Sequence, residues 1–288
     1  MSNPDAVYEE HRPELARLAY RMLGSRADAD DVLQEGYLRW TRADRSDVRT
    51  PRPYLFSMMT RLCIDQRRAI DARKETYVGP WLPEPIVELE ATAAPDRLEA
   101  AEDISMAFLV VMESLSPVER AAYLLRRVFD YDYQEIAAVV EKSEANCRQL
   151  VSRAEERVRE RRPRYHPQPG EAERVAAAFL SACSSGDMDG LLAVLAGDAA
   201  SYSDGGGKVF AAGEPIEGPE RVARFFLGLW KKALVGKELR PARVNGQPGL
   251  LVYEAGELRN VMTFEIVDGR IRTCYIVRNP DKLARVMV

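Results

Sequence analysis

Two histidines, His11 and His166, and four cysteines, Cys63, Cys147, Cys183 and Cys274, are all that 288 residues offer toward soft-metal or imidazole chemistry. Neither set has the spacing of a zinc site or a disulfide framework, so no metal, no cofactor and no catalytic triad is expected. Scattered cysteines of this kind fit a reducing, cytoplasmic setting. The residues that remain are suited to recognition. In Tyr133–Leu150, a helix ending near Val140 meets a short turn and a second helix capped by Ser143. On that second helix Cys147, Val151 (or Leu150), Ala154 and Val158 make a buried stripe, while Ser143, Ala145, Arg148, Gln149, Ser152 and Arg153 take the opposite side. Small and hydrogen-bonding residues at the start of such a helix are what reading base edges in the major groove requires. A solvated helical hairpin would show the same pattern. Glu141 stands where such turns often carry glycine.

A second constellation lies upstream. In Asp28–Trp40, Asp30, Asp31, Gln34 and Glu35 form an acidic and polar stripe, with Leu33, Tyr37 and Trp40 on the inward side. Taken alone, this is a solvated helix face with acids favourably placed in its first turn.

The elements that carry these residues follow from periodicity and punctuation. Leu15, Leu18, Ala19 and Met22 lie at helical spacing, and Pro53 is expected to open a third helix through Leu55, Met58, Met59, Leu62 and Cys63. Ser116-Pro117-Val118-Glu119 is a capping box with proline at the first helical position. The proline-rich stretches Gly79–Pro85 and Pro163–Gly170 cannot continue helices. The expected organisation is therefore a helical domain over 1–75, a linker over 76–97, a second helical domain over 98–162, a linker over 163–170 and a third domain over 171–288. That third domain changes character: Glu171–Ser184 and Pro219–Lys232 read as helices. Leu250–Tyr253, Leu258–Val267 and Ile271–Val277 read as strands, the last two joined by the hairpin signal Asp268-Gly269.

Net charge −4 argues weakly against nucleic acid, but charge is uneven along the chain. Residues 76–111 carry one basic and seven acidic groups, whereas residues 142–166 carry eight basic and four acidic ones. A local basic stripe binds phosphates whatever the total. The longest uncharged run, Val175–Gly186, has 12 residues, short of the roughly 20 that cross a bilayer, so no membrane association is expected. Met1-Ser2-Asn3-Pro4-Asp5 has neither a basic nor an apolar leader character, so no signal peptide is expected.

The order of these features carries a resemblance. An acidic Asp-Ala-Asp-Asp-Val-Leu-Gln-Glu helix, a helix mixing aromatic and basic residues, a linker, Leu-Ser-Pro-Val-Glu-Arg and a helix-turn-helix together resemble the extracytoplasmic-function (ECF) sigma factors of bacterial RNA polymerase over about residues 6–162. Three further segments are similar to signatures of the sigma factors that carry a fused SnoaL-like domain. These are Trp81-Leu82-Pro83-Glu84-Pro85, Asp204-Gly205-Gly206-Gly207-Lys208 and Asn279-Pro280-Asp281-Lys282-Leu283. The resemblance implies a multidomain fold: two all-α sigma domains, the second with a helix-turn-helix, and a C-terminal α+β cone. It implies an alternative sigma factor and no enzyme, with core RNA polymerase (β′ clamp and β flap) and promoter DNA as partners and a monomer when free. By the same resemblance, Asp30, Asp31, Gln34 and Glu35 would meet the β′ clamp. Arg52, Arg61, Arg67 and Arg68 would meet the −10 element, and the Ser143–Arg153 set the −35 element. Tyr54 and Phe56 are assigned to the core in preference to the DNA strand.

For the third domain the SnoaL-like resemblance implies a cone with an interior pocket able to admit an unidentified small ligand, with Tyr202, Asp204, Tyr253, Glu265 and Tyr275 as its polar candidates. No histidine partners these acids, and fold does not carry activity with it. The three glycines lack Walker spacing and read as a tight turn or a close docking of another backbone. The expectation is that the three signature segments are contact surfaces through which this domain modulates the sigma domains. The rival reading is a ligand-gated DNA-binding regulator, or a SnoaL-type enzyme joined to a helix-turn-helix.

Overall fold

A computed structural model describes residues 3–44, 48–88, 104–161 and 170–286. The chain divides into two compact units, Met1–Glu75 with Val111–Arg162, and Thr76–Val110 with Pro163–Val288. Residues 89–97 of the expected 76–97 linker and 163–169 of the expected 163–170 linker lie outside the described residues.

The first unit is helical. Helix α1 (Pro4–Leu23) stops at Gly24, whose φ of 68° only glycine adopts without strain. Helix α2 (Arg26–Arg42) starts at Ser25, whose hydroxyl accepts from the Asp28 amide at 3.2 Å. Gly36 on α2 lets α3 (Pro51–Lys74) approach, since a Cβ there would sit 2.3 Å from Met59 Sδ. Phe56 is fully buried and meets Phe129 and Tyr131 at ring distances of 5.1 and 5.5 Å. Tyr54, expected in the core, is instead 38% exposed, with one face on Trp40 at 5.7 Å. Beyond α4 (Met106–Met112), α5 (Pro117–Arg127) begins with the expected capping box of Ser116 and Glu119. Helix α6 (Tyr133–Val140) has a second box made by Asp132 and Glu135. It ends at Glu141, held left-handed at φ 56°, before α7 (Glu144–Arg161).

The second unit is a seven-stranded sheet in the order β1-β4-β5-β6-β7-β2-β3. Its strands are β1 (Val87–Glu88), β2 (Leu195–Asp204), β3 (Ile216–Glu217), β4 (Glu238–Val244), β5 (Gln247–Glu254), β6 (Glu257–Val267) and β7 (Arg270–Val277). All pairings are antiparallel except β2 with β7, and register shifts in three of them bend the sheet. Three two-residue turns, Asn245-Gly246, Ala255-Gly256 and Asp268-Gly269, have positive φ at both positions, the geometry that suits tight hairpins.

Helices α8 (Glu171–Ser185), α9 (Met188–Val194) and α10 (Pro219–Leu229), the last running into a π turn at Trp230–Leu234, cover one face of the sheet. Beneath them Phe179 packs edge-on against Phe226 at 4.9 Å and Phe264 at 5.3 Å. The other face carries Leu251, Tyr253, Val261, Tyr275 and Val277. It is covered by Leu82, by Met106 and Ala107 of α4, and by Leu283 of α11 (Pro280–Leu283). The segment before β1 thus forms part of this unit, tied in by Asn245, whose side chain accepts from the Ile86 amide at 3.1 Å and donates to the Ile104 carbonyl at 2.8 Å.

Candidate functional site

On α2, Asp30, Asp31, Gln34 and Glu35 are all exposed on one side, and Leu33 and Trp40 are buried on the other. The helix is fixed from behind: Tyr8 donates to the Leu33 carbonyl at 2.6 Å, and the Trp40 indole donates to the Pro4 carbonyl at 2.8 Å. Glu35 makes a solvent-exposed pair with Arg39 at 2.7 Å.

The second helix of the helix-turn-helix is set by the same arithmetic. Cys147, Val151 and Ala154 are buried, and Ser143, Ala145, Arg148, Gln149, Ser152 and Arg153 are exposed. Ser143 caps the helix, accepting from the Asn146 amide at 3.2 Å. Arg148 lies over the Tyr133 ring at 5.0 Å and pairs with Glu144 at 3.0 Å, so its guanidinium is held at the face while remaining in solvent. Arg157 and Arg153 reach back to Glu119 at 3.0 and 3.7 Å. Burial raises the Cys147 thiol pKa, which suits packing better than reactivity.

The four arginines expected at a DNA strand divide. Arg68 is exposed and pairs only locally with Asp65. Arg52 rests on the Phe56 ring at 4.7 Å and pairs with Glu14 at 3.0 Å, still partly in solvent. Arg61 donates to the carbonyls of Val139 at 3.1 Å and Ala138 at 2.9 Å, at the C-terminal end of α6. Arg67 departs from expectation: only 2% exposed, it forks onto Glu113 at 2.7 and 2.6 Å and holds Asp71 at 2.8 Å. Its sequence neighbours gave no sign of this, because the carboxylate that turns it inward is 46 residues away.

In the second unit, the signature segments converge on Asp204. Its buried carboxylate accepts from Tyr77 Oη at 2.6 Å, the Leu82 amide at 2.9 Å, the Gly206 amide at 3.0 Å and Lys282 Nζ at 2.6 Å. Lys282 also donates to the Leu82 carbonyl, and its ammonium lies over the Trp81 ring at 4.1 Å. Asn279 donates to Tyr77 Oη at 2.9 Å, and a Cβ on Gly206 would collide with the Asn279 side chain. That approach, with Gly206 and Gly207 at positive φ, is why glycines follow Asp204. Lys208 pairs with Asp281 at 2.5 Å. Glu84 is buried, while Pro83 and Pro85 hold the segment extended. Burial, and then the bond to Asp204, push the Tyr77 phenol well above its ordinary pKa, so it stays a donor.

Tyr253, Tyr275 and Tyr202 belong to the cluster under Leu82 and Met106, and Glu265 accepts from Thr273 at 2.7 Å. The space beneath the helices, where the implied pocket would lie, holds the Phe179, Phe226 and Phe264 rings. Among the described residues no cluster of histidine, cysteine, aspartate or glutamate is arranged to hold a metal, and no helix is long and apolar enough to cross a membrane.

Comparison with known proteins identifies the family of the helical regions and of the chain as a whole. Residues 7–73 match Sigma-70 region 2 and residues 105–158 match Sigma-70 region 4. The ECF RNA polymerase sigma factor SigJ of Mycobacterium tuberculosis is 36% identical, over 96% of this chain and 91% of its own length. The probable ECF sigma factor SigI of the same species is 30% identical, over 96% and 94%. The crystal structure of SigJ superimposes with a TM-score of 0.77 at 33% identity, covering 96% of this chain and 97% of that one.

The chain belongs to the ECF sigma factors. It is a transcription initiation factor and no enzyme, and as a sigma factor it binds core RNA polymerase and promoter DNA. Its C-terminal helix-and-sheet domain has the α+β architecture that the SnoaL-like resemblance implies. Two sets of residues in this sigma factor escaped sequence reasoning. Tyr77 lies four residues before Trp81 and outside the segment that carried the resemblance. Glu113, Arg120 and Lys74 complete the buried cluster around Arg67. Arg120 donates to Glu113 at 2.9 Å and to the Met22 carbonyl at 2.6 Å, and Lys74 donates to Glu113.

Proposed function

We propose that this sigma factor carries its own regulator, and that the Asp204 junction is the device through which the C-terminal domain acts on promoter use. The supporting observation is that residues from three distant segments, Trp81–Pro85, Asp204–Lys208 and Asn279–Leu283, meet at one buried carboxylate. By holding the segment that leads from the region 2 helices, the junction limits the arrangements those helices and region 4 can take. The finer contacts in the proposal are these: Asp30, Asp31, Gln34 and Glu35 meet the β′ clamp, region 4 meets the β flap, and Arg52, Arg61 and Arg68 face the −10 element. Ser143, Ala145, Arg148, Gln149, Ser152 and Arg153 face the −35 element. The free chain is proposed to be a cytoplasmic monomer.

Reconstituted transcription with core polymerase tests the proposal. Three proteins are compared: the full chain, a chain lacking residues 279–288, and one ending near residue 165. Loss of the last ten residues removes Lys282 and Asn279 from the junction and is expected to raise promoter output, while loss of the whole domain is expected to abolish it. Equal output from all three ends the regulatory reading.

A further inference from the structure

Arg67 sits on the helix proposed to face the −10 strand, yet it is buried, and its guanidinium pairs with two carboxylates, Glu113 and Asp71. Glu113 receives its fork in the bidentate geometry that a guanidinium also uses for a phosphate. Three cations, Arg67, Arg120 and Lys74, converge on this one carboxylate, with Asp71 as the second anion in the cluster. Arg120 donates to the Met112 carbonyl beside Glu113 and, across the contact, to the Met22 carbonyl of α1, so it stays with Glu113 on the region 4 side when the regions part. Arg67 and Lys74 lie on α3 itself and reach Glu113 from there. At the rim of the same contact, Arg61 donates to the last carbonyls of α6, where a helix end attracts a cation.

We propose that Glu113 is an internal stand-in for a DNA phosphate: it holds Arg67 and Lys74 of region 2 against region 4, and single-stranded DNA competes for the same groups as the two regions separate. The proposal rests on the reading that α3 faces the −10 strand. It adds that the closed arrangement and the DNA-bound one draw on one guanidinium, so that either weakens the other. Burial would cost Glu113 its charge, but Arg120, Arg67 and Lys74 outweigh it and keep the carboxylate ionised, as a phosphate would be.

The test uses the full chain with donor and acceptor dyes at cysteines placed by Glu10→Cys and Glu156→Cys, both exposed and one in each region. The probe is a short single-stranded oligothymidylate, because phosphate contacts do not depend on sequence. Titrating the otherwise unaltered chain is expected to lower energy transfer as DNA binds, a result that needs no change in the buried cluster. Glu113→Gln is expected to open the chain without DNA and to bind the probe about tenfold tighter. Arg67→Ala is expected to open it as well, but to bind at least tenfold more weakly than Glu113→Gln, with a shallower salt dependence. DNA binding with no change in energy transfer would overturn the proposal. So would opening by Glu113→Gln with unchanged affinity and an Arg67→Ala chain that binds equally well. If Arg52→Ala and Arg68→Ala also leave binding untouched, the −10 reading of α3 itself fails, a different result.

Discussion

Lys282 Nζ lies 2.6 Å from Asp204 Oδ2, and the carboxylate is fully buried while the lysine side chain is 11% exposed. The pair is closed over by Trp81 and bonded to Leu82 through both its amide and its carbonyl, so one salt bridge fixes the path of the chain entering the domain. Such a pair owes little to attraction alone, because both groups lose their water; it is costly to break one-sidedly.

Lys282→Ala should accordingly destabilise the C-terminal unit by about 3–5 kcal/mol, since Asp204 is left charged with only neutral donors. Adding Asp204→Asn to it should return part of that loss. Denaturant unfolding of the three proteins checks the outcome, and equal midpoints for wild type and Lys282→Ala would disprove the coupling.

Arg148→Ala should weaken −35 binding by about 1–3 kcal/mol if the guanidinium reads a base edge. Fold stability should barely change, because the contacts it loses are an exposed pair with Glu144 and a ring face on Tyr133. A footprint and promoter preference identical to wild type would take Arg148 off the recognition surface.

Charge reversal at Asp31 or Glu35 should reduce association with core polymerase without altering the melting temperature, since both side chains are exposed. Gel filtration or fluorescence with purified core enzyme reports it. Undiminished binding by the doubly reversed protein would exclude this surface as the contact.

Glu113 should make the helical unit acid-sensitive in a defined way. Its pKa is depressed in the folded chain, so the unfolded chain takes up the proton first, and its contribution is complete above the unfolded value of about 4.3. That stability drains away as pH falls below this value toward the depressed folded one. Lys74 acts at the other end: burial lowers its pKa to about 8, so its penalty is present below pH 8 and is relieved as pH rises from there toward about 10.4. Glu113→Gln should flatten the acid limb of a stability–pH curve. An unchanged limb would contradict the cluster.

Glu141 holds φ 56° in the turn between α6 and α7, a conformation that costs a side-chain-bearing residue about 1–2 kcal/mol. Glu141→Gly is expected to be neutral or stabilising despite loss of the exposed 3.5 Å pair with Arg61, and Glu141→Val destabilising. Thermal melts check this: the glycine variant should melt at or above wild type and the valine variant below it, and a glycine variant that melts lower would contradict the turn geometry.

Much of the local structure of the candidate recognition surfaces was legible because it depends on neighbours three or four residues apart. The Ser116–Glu119 box, the Cys147, Val151 and Ala154 stripe and the solvent-facing Arg148, Gln149 and Ser152 all follow from helical spacing and local hydrogen bonding. Asp268-Gly269 announced its hairpin in the same way, and Asn245-Gly246 carried an equal signal that went unread. β2 and β4 were missed for another reason. β4 alternates charge with few apolar residues around Pro241, and β2 gains its strand character from parallel pairing with β7, some 75 residues on. Arg67 and Arg68 are adjacent and chemically identical, yet one is buried on Glu113 and the other is in solvent. Asp204 took its role from Tyr77 and Lys282, 127 and 78 residues away. Spacing along the chain specified helices, caps, turns and the faces they expose. Which charges are buried, and against what, depended on desolvation by partners that only folding brings within 3 Å.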